Sequence, residues 1–385
     1  MQSVKKRINM LREFSIPLLG GVVIALLWAN LAQESYSRFI HTPILGPIDF
    51  HFFANEIFMM FFFGIAAVEI TQSFLPGGDL YPVKKSINPL IATCGGVIGP
   101  ALVYLFLNHW IGNSELYRGW GIPTATDIAF AWLVARFVFG NNHPAIAFLL
   151  LLAVVDDGIG LAIIAIFYPN PLTPVQPLWL VLAIAGVASA YAMRIKNLRM
   201  YWPYIVVGGG LSWFGLYLSH LHPALALVII IPFLPHAKHE KKHVFEDDIA
   251  DHSTMARFEH HWKKIVDFGL FIFGLANAGV AFSQVGTATW LVLAGLLIGK
   301  CIGIFSFGLL AHKIGFHLPK GVGLKELLVI GIIAGFGFTV ALFMASVAFS
   351  DPVLQAAAKM GAMLSCGAAG IAFLVAKILR IKKIT

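Results

Sequence analysis

The chain has 385 residues, of which 12% are charged and 58% hydrophobic, with a mean hydropathy of +0.82. A soluble domain carries roughly twice that share of charge and needs it to cover its surface, so a soluble globular protein is excluded; disorder, which requires low hydrophobicity, is excluded as well. What remains is a helical protein that crosses a membrane many times, and the net charge of +8 has to be explained by where the basic residues fall.

The first segment, MQSVKKRINMLREF, is basic and leads into an apolar stretch from Ile16 to Leu31 that has no small-residue cleavage site, which reads as a retained first span. Apolar runs then recur with short interruptions, and a bilayer-crossing helix needs about 20 such residues. The spans predicted in chain order are 14–33, 52–75, 87–109, 120–139, 144–167, 177–193, 200–219, 221–235, 262–283, 287–310, 326–349 and 353–376. The eighth is short and is punctuated by Pro223, Pro232 and Pro235. With the N-terminus in the cytoplasm, 23 of the 27 Lys and Arg residues fall on cytoplasmic segments, Arg38 and Arg118 fall outside, and Lys300 and Lys359 lie within spans. This asymmetry follows the positive-inside rule and would be lost with an odd miscount, so twelve spans with both termini cytoplasmic is the expected topology. The positive charge is thereby topology and not affinity for nucleic acid.

No separate soluble domain is expected; residues 1–385 form one integral membrane unit. The polar stretch His236 to His261 holds six of the 14 histidines, with His239 and His243 at i, i+4 spacing that suits a metal, but a solvated loop between two halves of the bundle is the plainer reading. Cys94, Cys301 and Cys366 lie in apolar runs without metal or disulfide spacing and read as small buried hydrophobes.

Ionisable residues inside a span are costly, and each is a functional hypothesis. Asp156 and Asp157 sit at the centre of the fifth span, AIAFLLLLAVVDDGIGLAIIAIF. Adjacent helical residues point about 100° apart, so one carboxylate can face a hydrated path while the other meets a partner. A carboxyl that holds either a proton or a cation is the simplest exchange device. Lys300, central in the tenth span, is the natural partner of one of them. Glu69, Asp267 and Lys359 are secondary in this set.

Asp127 follows Pro123, Thr124 and Thr126 in the fourth span, where Pro and the Thr hydroxyls suit a helix restarting inside the membrane. The eleventh span carries Gly335-Phe336-Gly337-Phe338-Thr339 at its middle, which can release the helix into an extended stretch. The two interrupted spans are seven apart in order and therefore cross the bilayer in opposite senses, the mark of an inverted-repeat transporter. Two half-helix N-termini would meet and want an anion, supplied by Asp127; two C-termini would want a cation, supplied by Lys300.

IPTATDIAFA, AVVDDGIG, LANAGV, AGLLIGK and GFGFT, in this order and spacing, resemble the NhaA-type sodium/proton antiporter family over most of the chain, from FFFGIAAVEI to ALFMASVAF. The resemblance implies an all-α membrane protein of twelve transmembrane helices, with inverted repeats in spans 3–5 and 10–12 and discontinuous crossed helices in spans 4 and 11. The core would be about 87–167 and 287–376, and the other spans an interface or scaffold. It implies electrogenic exchange of cytoplasmic Na+ or Li+ for external H+ across the bacterial inner membrane, with two protons per sodium, no cofactor and no enzyme activity. Asp157 would be the principal ion ligand, Asp156 the partner carboxylate paired with Lys300, and Asp127 and Thr126 the residues of the helix crossing. Glu69, Glu259 and His260 match positions of the cytoplasmic funnel credited with pH response. Gln72 and Ser73 depart from the basic and acidic residues usual there, and Lys263 replaces a histidine, which puts steep pH activation in doubt. The family's homodimer contact, an outer hairpin, would fall near Arg38 to Phe50, where Pro43 and Pro47 each remove a ladder donor.

Three rivals follow from the same residues. A sodium-coupled organic-anion symporter needs a sizeable polar substrate cavity, for which the spans offer few groups. An intramembrane aspartyl protease needs its two carboxylates on different helices and lacks its Gly-x-Gly-Asp pattern here. A channel fits a buried acid–base set less well than an exchanger does.

Overall fold

The computed structural model describes residues 16–46, 48–78, 80–81, 86–169, 173–236 and 253–384. The predicted metal pair His239 and His243 lies outside the described residues, as do the basic residues of 1–15 and 82–85. Apart from one two-stranded hairpin, the regular structure is helical.

In chain order the helices are α1 (Ile16–Leu31), α2 (Gln33–Ile40), α3 (Phe50–Phe74), α4 (Ile87–Ile111), α5 (Ile128–Phe139), α6 (Pro144–Phe167), α7 (Pro177–Ile195), α8 (Tyr204–Leu218), α9 (Thr254–Asn277), α10 (Thr287–Lys313), α11 (Leu324–Ala334), α12 (Thr339–Ala348) and α13 (Pro352–Ile378). Among the described residues, six are long and apolar enough to cross a bilayer: α3, α4, α6, α7, α10 and α13. The number rises to eight if two bent pairs each count as one span. One pair is a 3₁₀ segment, Ser114–Thr124, followed by α5 at 55°; the other is α11 followed by α12 at 50°. α6 is the most enclosed of the long helices and α7 the most peripheral.

Sequence and structure part in instructive places. The predicted eighth span, 221–235, is not an α-helix but a run of 3₁₀ turns from Pro223 to Phe233, with Ala226 N bonded to Pro223 O at 2.9 Å and Leu234 N to Ile231 O at 3.0 Å. Its prolines remove i→i−4 donors, and its irregular backbone is sheltered by protein, since Ala224, Ala226, Leu227, Ile230, Ile231 and Leu234 are fully buried. The ninth span begins earlier than hydropathy suggests: α9 starts at Thr254, capped by Ser253, so TMARFEHH forms its first two turns instead of a loop. The hairpin near Arg38 to Phe50 does form, with strands β1 (Pro43–Leu45) and β2 (Ile48–Asp49) paired antiparallel, Pro43 opposite Asp49. Pro43 is tolerated because it opens a strand that has only one partner. Cys94 is exposed on α4, not buried, because a lipid-facing surface is as apolar as a core; Cys301 and Cys366 are half-buried, and all three are free.

Small residues let two helices of the centre touch backbone to backbone. A methyl group on Gly99 would come within 2.3 Å of Gly299 O, one on Gly303 within 2.0 Å of Gly95 O, and one on Gly299 within 2.4 Å of Pro100 Cα. This close packing of α4 on α10 is the small-residue contact by which membrane helices associate. A π-helical turn at Gly295–Gly299 immediately precedes Lys300 and sets where its side chain leaves the helix.

Candidate functional site

The two interrupted pairs meet at their breaks. Asp127 N donates to Phe336 O at 2.8 Å, so the extended stretch after the 3₁₀ segment lies against the stretch after α11. Asp127 is the N-cap of α5, its Oδ1 accepting from Phe130 N at 3.2 Å. Its Oδ2 accepts from Thr339 N at 3.2 Å and Thr339 Oγ1 at 2.8 Å, and Thr339 is the first residue of α12. One carboxylate thus serves the positive ends of two helices, which is favourable through both hydrogen bonds and dipoles.

Pro123 does not open the second half-helix, as its residue type suggests. It ends the 3₁₀ segment and packs on α10, where a methyl group on Gly295 would sit 2.8 Å from its Cβ. Thr124 is buried and donates to Gly121 O at 2.7 Å instead of capping α5. The glycines of the other break act through space and not through a positive φ. A methyl group on Gly335 would meet Leu296 O at 2.6 Å, and one on Gly337 would meet Ala125 O at 2.8 Å. Only glycine lets the two breaks approach this closely.

Beside this contact, α6 supplies Asp156 and α10 supplies Lys300, both fully buried. Lys300 Nζ donates to Asp156 Oδ2 and to Thr126 Oγ1. The Thr126 hydroxyl in turn lies 2.7 Å from Asp156 Oδ2 and 3.0 Å from Ala334 O, the last carbonyl of α11. Lys300 therefore reaches the C-terminal end of α11 through Thr126, not by direct contact. A buried ion pair of this kind needs both charges, because removing one strands the other in low dielectric.

Asp157 differs from its neighbour. It is 8% exposed, and among the described residues it has no hydrogen-bond or ion-pair partner. Asp157 Oδ1 and Asp156 Oδ1 are both buried oxygens without a donor. The charges that act on Asp157 are the carboxylates of Asp156, Asp127 and Glu69, opposed by Lys300. Buried polar atoms are nearly always satisfied. Two carboxylate oxygens on consecutive residues therefore stand side by side without a protein donor among the described residues.

Next to this cluster, Ile70 packs on Gly158, which places Glu69 near Asp157. Lys263 Nζ lies 3.4 Å from Glu69 Oε1 and 3.5 Å from Glu259 Oε1, and Gln72 Nε2 donates to Glu259 Oε2 at 2.8 Å. Glu69 and Glu259 are thus brought together by a lysine that stands where the resemblance leads one to expect histidine. His260 is not part of this group; it is exposed on another face of α9.

A second buried polar group went unassembled at the sequence level. Asn277, in LANAGV at the end of α9, accepts at Oδ1 from Ser346 Oγ (3.0 Å) and Lys359 Nζ (3.3 Å), and donates to Asn55 Oδ1 (2.9 Å). Asn55 Nδ2 donates to His51 Nε2 at 3.0 Å. The signal available was polar residues inside four apolar runs, but nothing in the sequence shows that the four meet.

Residues 7–376 match the family described as Na+/H+ antiporter 1. The Na(+)/H(+) antiporter NhaA of Desulfitobacterium hafniense is 64% identical over 384 residues, covering 100% of this chain and 99% of the relative. That of Geobacter sulfurreducens is 63% identical over 381 residues, covering 99% and 100%, and that of Jannaschia sp. is 41% identical over 415 residues, covering 97% and 98%. Among solved structures, the sodium proton antiporter MjNhaP1 from Methanocaldococcus jannaschii matches with a TM-score of 0.53 over 96% of this chain and 92% of that one; at 15% identity the likeness is one of fold. A multi-pass helical membrane protein with this sequence match belongs to the Na+/H+ antiporter 1 family.

Proposed function

We propose that this protein moves sodium, or lithium, out of the cytoplasm in exchange for external protons, by alternating access of one site built on Asp157 and Asp156. The observation that carries the reading is the contrast between the two aspartates: Asp156 pairs with Lys300 and accepts from Thr126, while Asp157 is buried beside it with no partner among the described residues. A buried carboxylate without a partner is expensive as an anion. It is therefore held as a proton or cation complex, and the two compete for the same oxygens. Sodium drawing on Asp156 as well would loosen the Asp156–Lys300 pair, so a second proton can be carried by Asp156 or released from Lys300. Two protons per sodium makes the exchange electrogenic.

Twelve spans fit the architecture when α1, α8, α9 and the 3₁₀ run 223–233 are added to the six long helices and two bent pairs. Spans 3–5 and 10–12 then form inverted repeats whose interrupted members cross at Asp127 and Thr339, within a core of about 87–167 and 287–376. The placement is the bacterial inner membrane with both termini cytoplasmic, and a homodimer would use the β1–β2 hairpin. A symporter for an organic anion is the second reading; a cavity of about 410 Å³ lined by Glu56, Trp179, Tyr217 and His222, with no Lys or Arg among its lining residues, does not favour it.

In proteoliposomes with an imposed pH gradient, sodium added on the alkaline side should dissipate the gradient and generate a membrane potential. Sodium-dependent uptake of a labelled organic anion, with no sodium-driven proton flux, would favour the symporter instead.

A further inference from the structure

In the orientation proposed above, the His51–Asn55–Asn277–Ser346–Lys359 group lies on the outer half of the bundle, away from the aspartates, and the exchange reaction as described does not use it. Asn55, Asn277 and Lys359 are buried, at 4%, 1% and 7% exposure. Among the described residues Lys359 has no carboxylate partner, and its hydrogen-bond acceptor is Asn277 Oδ1. The bonds between members of the group run one way, Lys359 and Ser346 into Asn277, Asn277 into Asn55, Asn55 into His51, while Asn277 and Ser346 also donate to Phe273 O and Leu342 O of their own helices. Asn277 thus spends its acceptor on two helices and its donor on a third.

The helices divide in a way that matters. Ser346 and Lys359 belong to α12 and α13, in the repeat core, while Asn55 and Asn277 belong to α3 and α9, outside it. α12 also begins at Thr339, which bonds Asp127. From Thr339 to Ser346 is seven residues of one helix, about 10 Å at 1.5 Å per residue. The same rigid helix is therefore held at one end by the ion site and at the other by Asn277.

We propose that Asn277, with Ser346 and Lys359, is an outer latch: its bonds hold the repeat core against the scaffold helices in the state closed to the outside, and they must part for the aspartates to open outward. This inference rests on the alternating-access reading above. Asn277 is a positioning residue, acting on the site through α12 and touching no transported ion. Bonds of this kind are strong when buried and shielded, and are exchanged for water once the helices separate, so their number sets the balance of inward and outward states.

The test is the sidedness of sodium affinity. Purified full-length protein is reconstituted in one orientation, and the apparent sodium KM is measured separately from each face for wild type, Ser346→Ala, and the double variant Ser346→Ala with Lys359→Met. The double variant cuts both bonds to the core and removes the buried charge, so it does not depend on folding around an unpaired ammonium. Expected is a graded fall in the outer-face KM relative to the inner-face KM, about threefold or more in the double variant, with melting temperature recorded in parallel. A changed melting temperature with an unchanged KM ratio would show that the group only stabilises the fold, and would overturn the latch. If wild type shows no sodium-dependent proton flux from either face, it is the proposed exchange that fails.

Discussion

Asp127 and Thr339 stand 212 residues apart, on the two interrupted spans, and Thr339 donates to the Asp127 carboxylate with both its backbone N–H and its hydroxyl. With Phe130 N on the other oxygen, a single side chain closes two helix N-termini that would otherwise present open donors inside a membrane. Asp127 is therefore the structural keystone of the crossing, and its charge is largely answered by those donors. Asp157, by contrast, has carboxylate oxygens left over.

Replacing Asp127 by Asn keeps an oxygen for one helix end and presents an amide to the other. Each lost cap costs about 1 kcal/mol, and the replaced charge–dipole contact adds to it. Asp127→Asn should lower the melting temperature in detergent and weaken sodium affinity without abolishing exchange. Thr339→Val should reproduce part of the thermal loss alone. A melting temperature equal to that of wild type would argue that the donors are satisfied by water.

Asp157→Asn should behave in the opposite way. It removes an unpartnered buried charge, so stability should be unchanged or raised, while sodium-driven proton flux should vanish. The measurement pairs a thermal melt with flux in everted vesicles. Retained flux at a wild-type rate would move the ion site elsewhere.

Lys300 and Asp156 form one unit, and removing one member of such a pair typically costs about 3–5 kcal/mol because the other is left uncompensated. Lys300→Ala should therefore destabilise the protein strongly while keeping some exchange with altered charge movement. Lys300→Met combined with Asp156→Asn should recover much of the lost melting temperature, as a double-mutant cycle would show. Additive losses would mean that the two side chains do not depend on each other.

Much of this was legible in the sequence, and the reasons for the limits are physical. Long apolar runs locate α3, α4, α6, α7, α10 and α13 because a lipid-exposed helix needs no polar face. The same insensitivity hides helix type: hydropathy cannot tell the 3₁₀ run 223–233 from an α-helix, and it begins α9 eight residues late because the helix starts on charged residues. DD, PTATD and GFGFT mark a candidate site since charges and glycines inside apolar runs are costly or distinctive. They do not say that Pro123 packs on Gly295 while Asp127 does the capping, because that depends on where the backbone of α10 passes. The group around Asn277 was invisible for a related reason. Its five members lie on four helices, and apart from Lys359, whose charge marks it, each is unremarkable until the packing brings them together.

The Glu69–Lys263–Glu259 cluster, on the inner side in the orientation proposed, supports the last prediction. Lys263 sits between Glu69 and Glu259, within 3.4 Å and 3.5 Å, and Asp267 adds a further negative field. While this lysine is in place it answers the acidic side chains with a charge that does not titrate near neutrality, so they present a nearly constant field to sodium arriving from inside. A histidine in its place would be charged below about pH 6.5 and neutral above. Lys263→His should therefore steepen the pH dependence of the inner-face sodium KM. Below that pH the imidazolium takes over the lysine's role. Above it the carboxylates are left unanswered, and their field draws sodium more strongly, so KM should fall as pH rises from 6 to 8. Lys263→Arg, which keeps the charge at every pH, should leave the wild-type profile in place. Parallel KM profiles for all three proteins would show that the cluster does not govern sodium access.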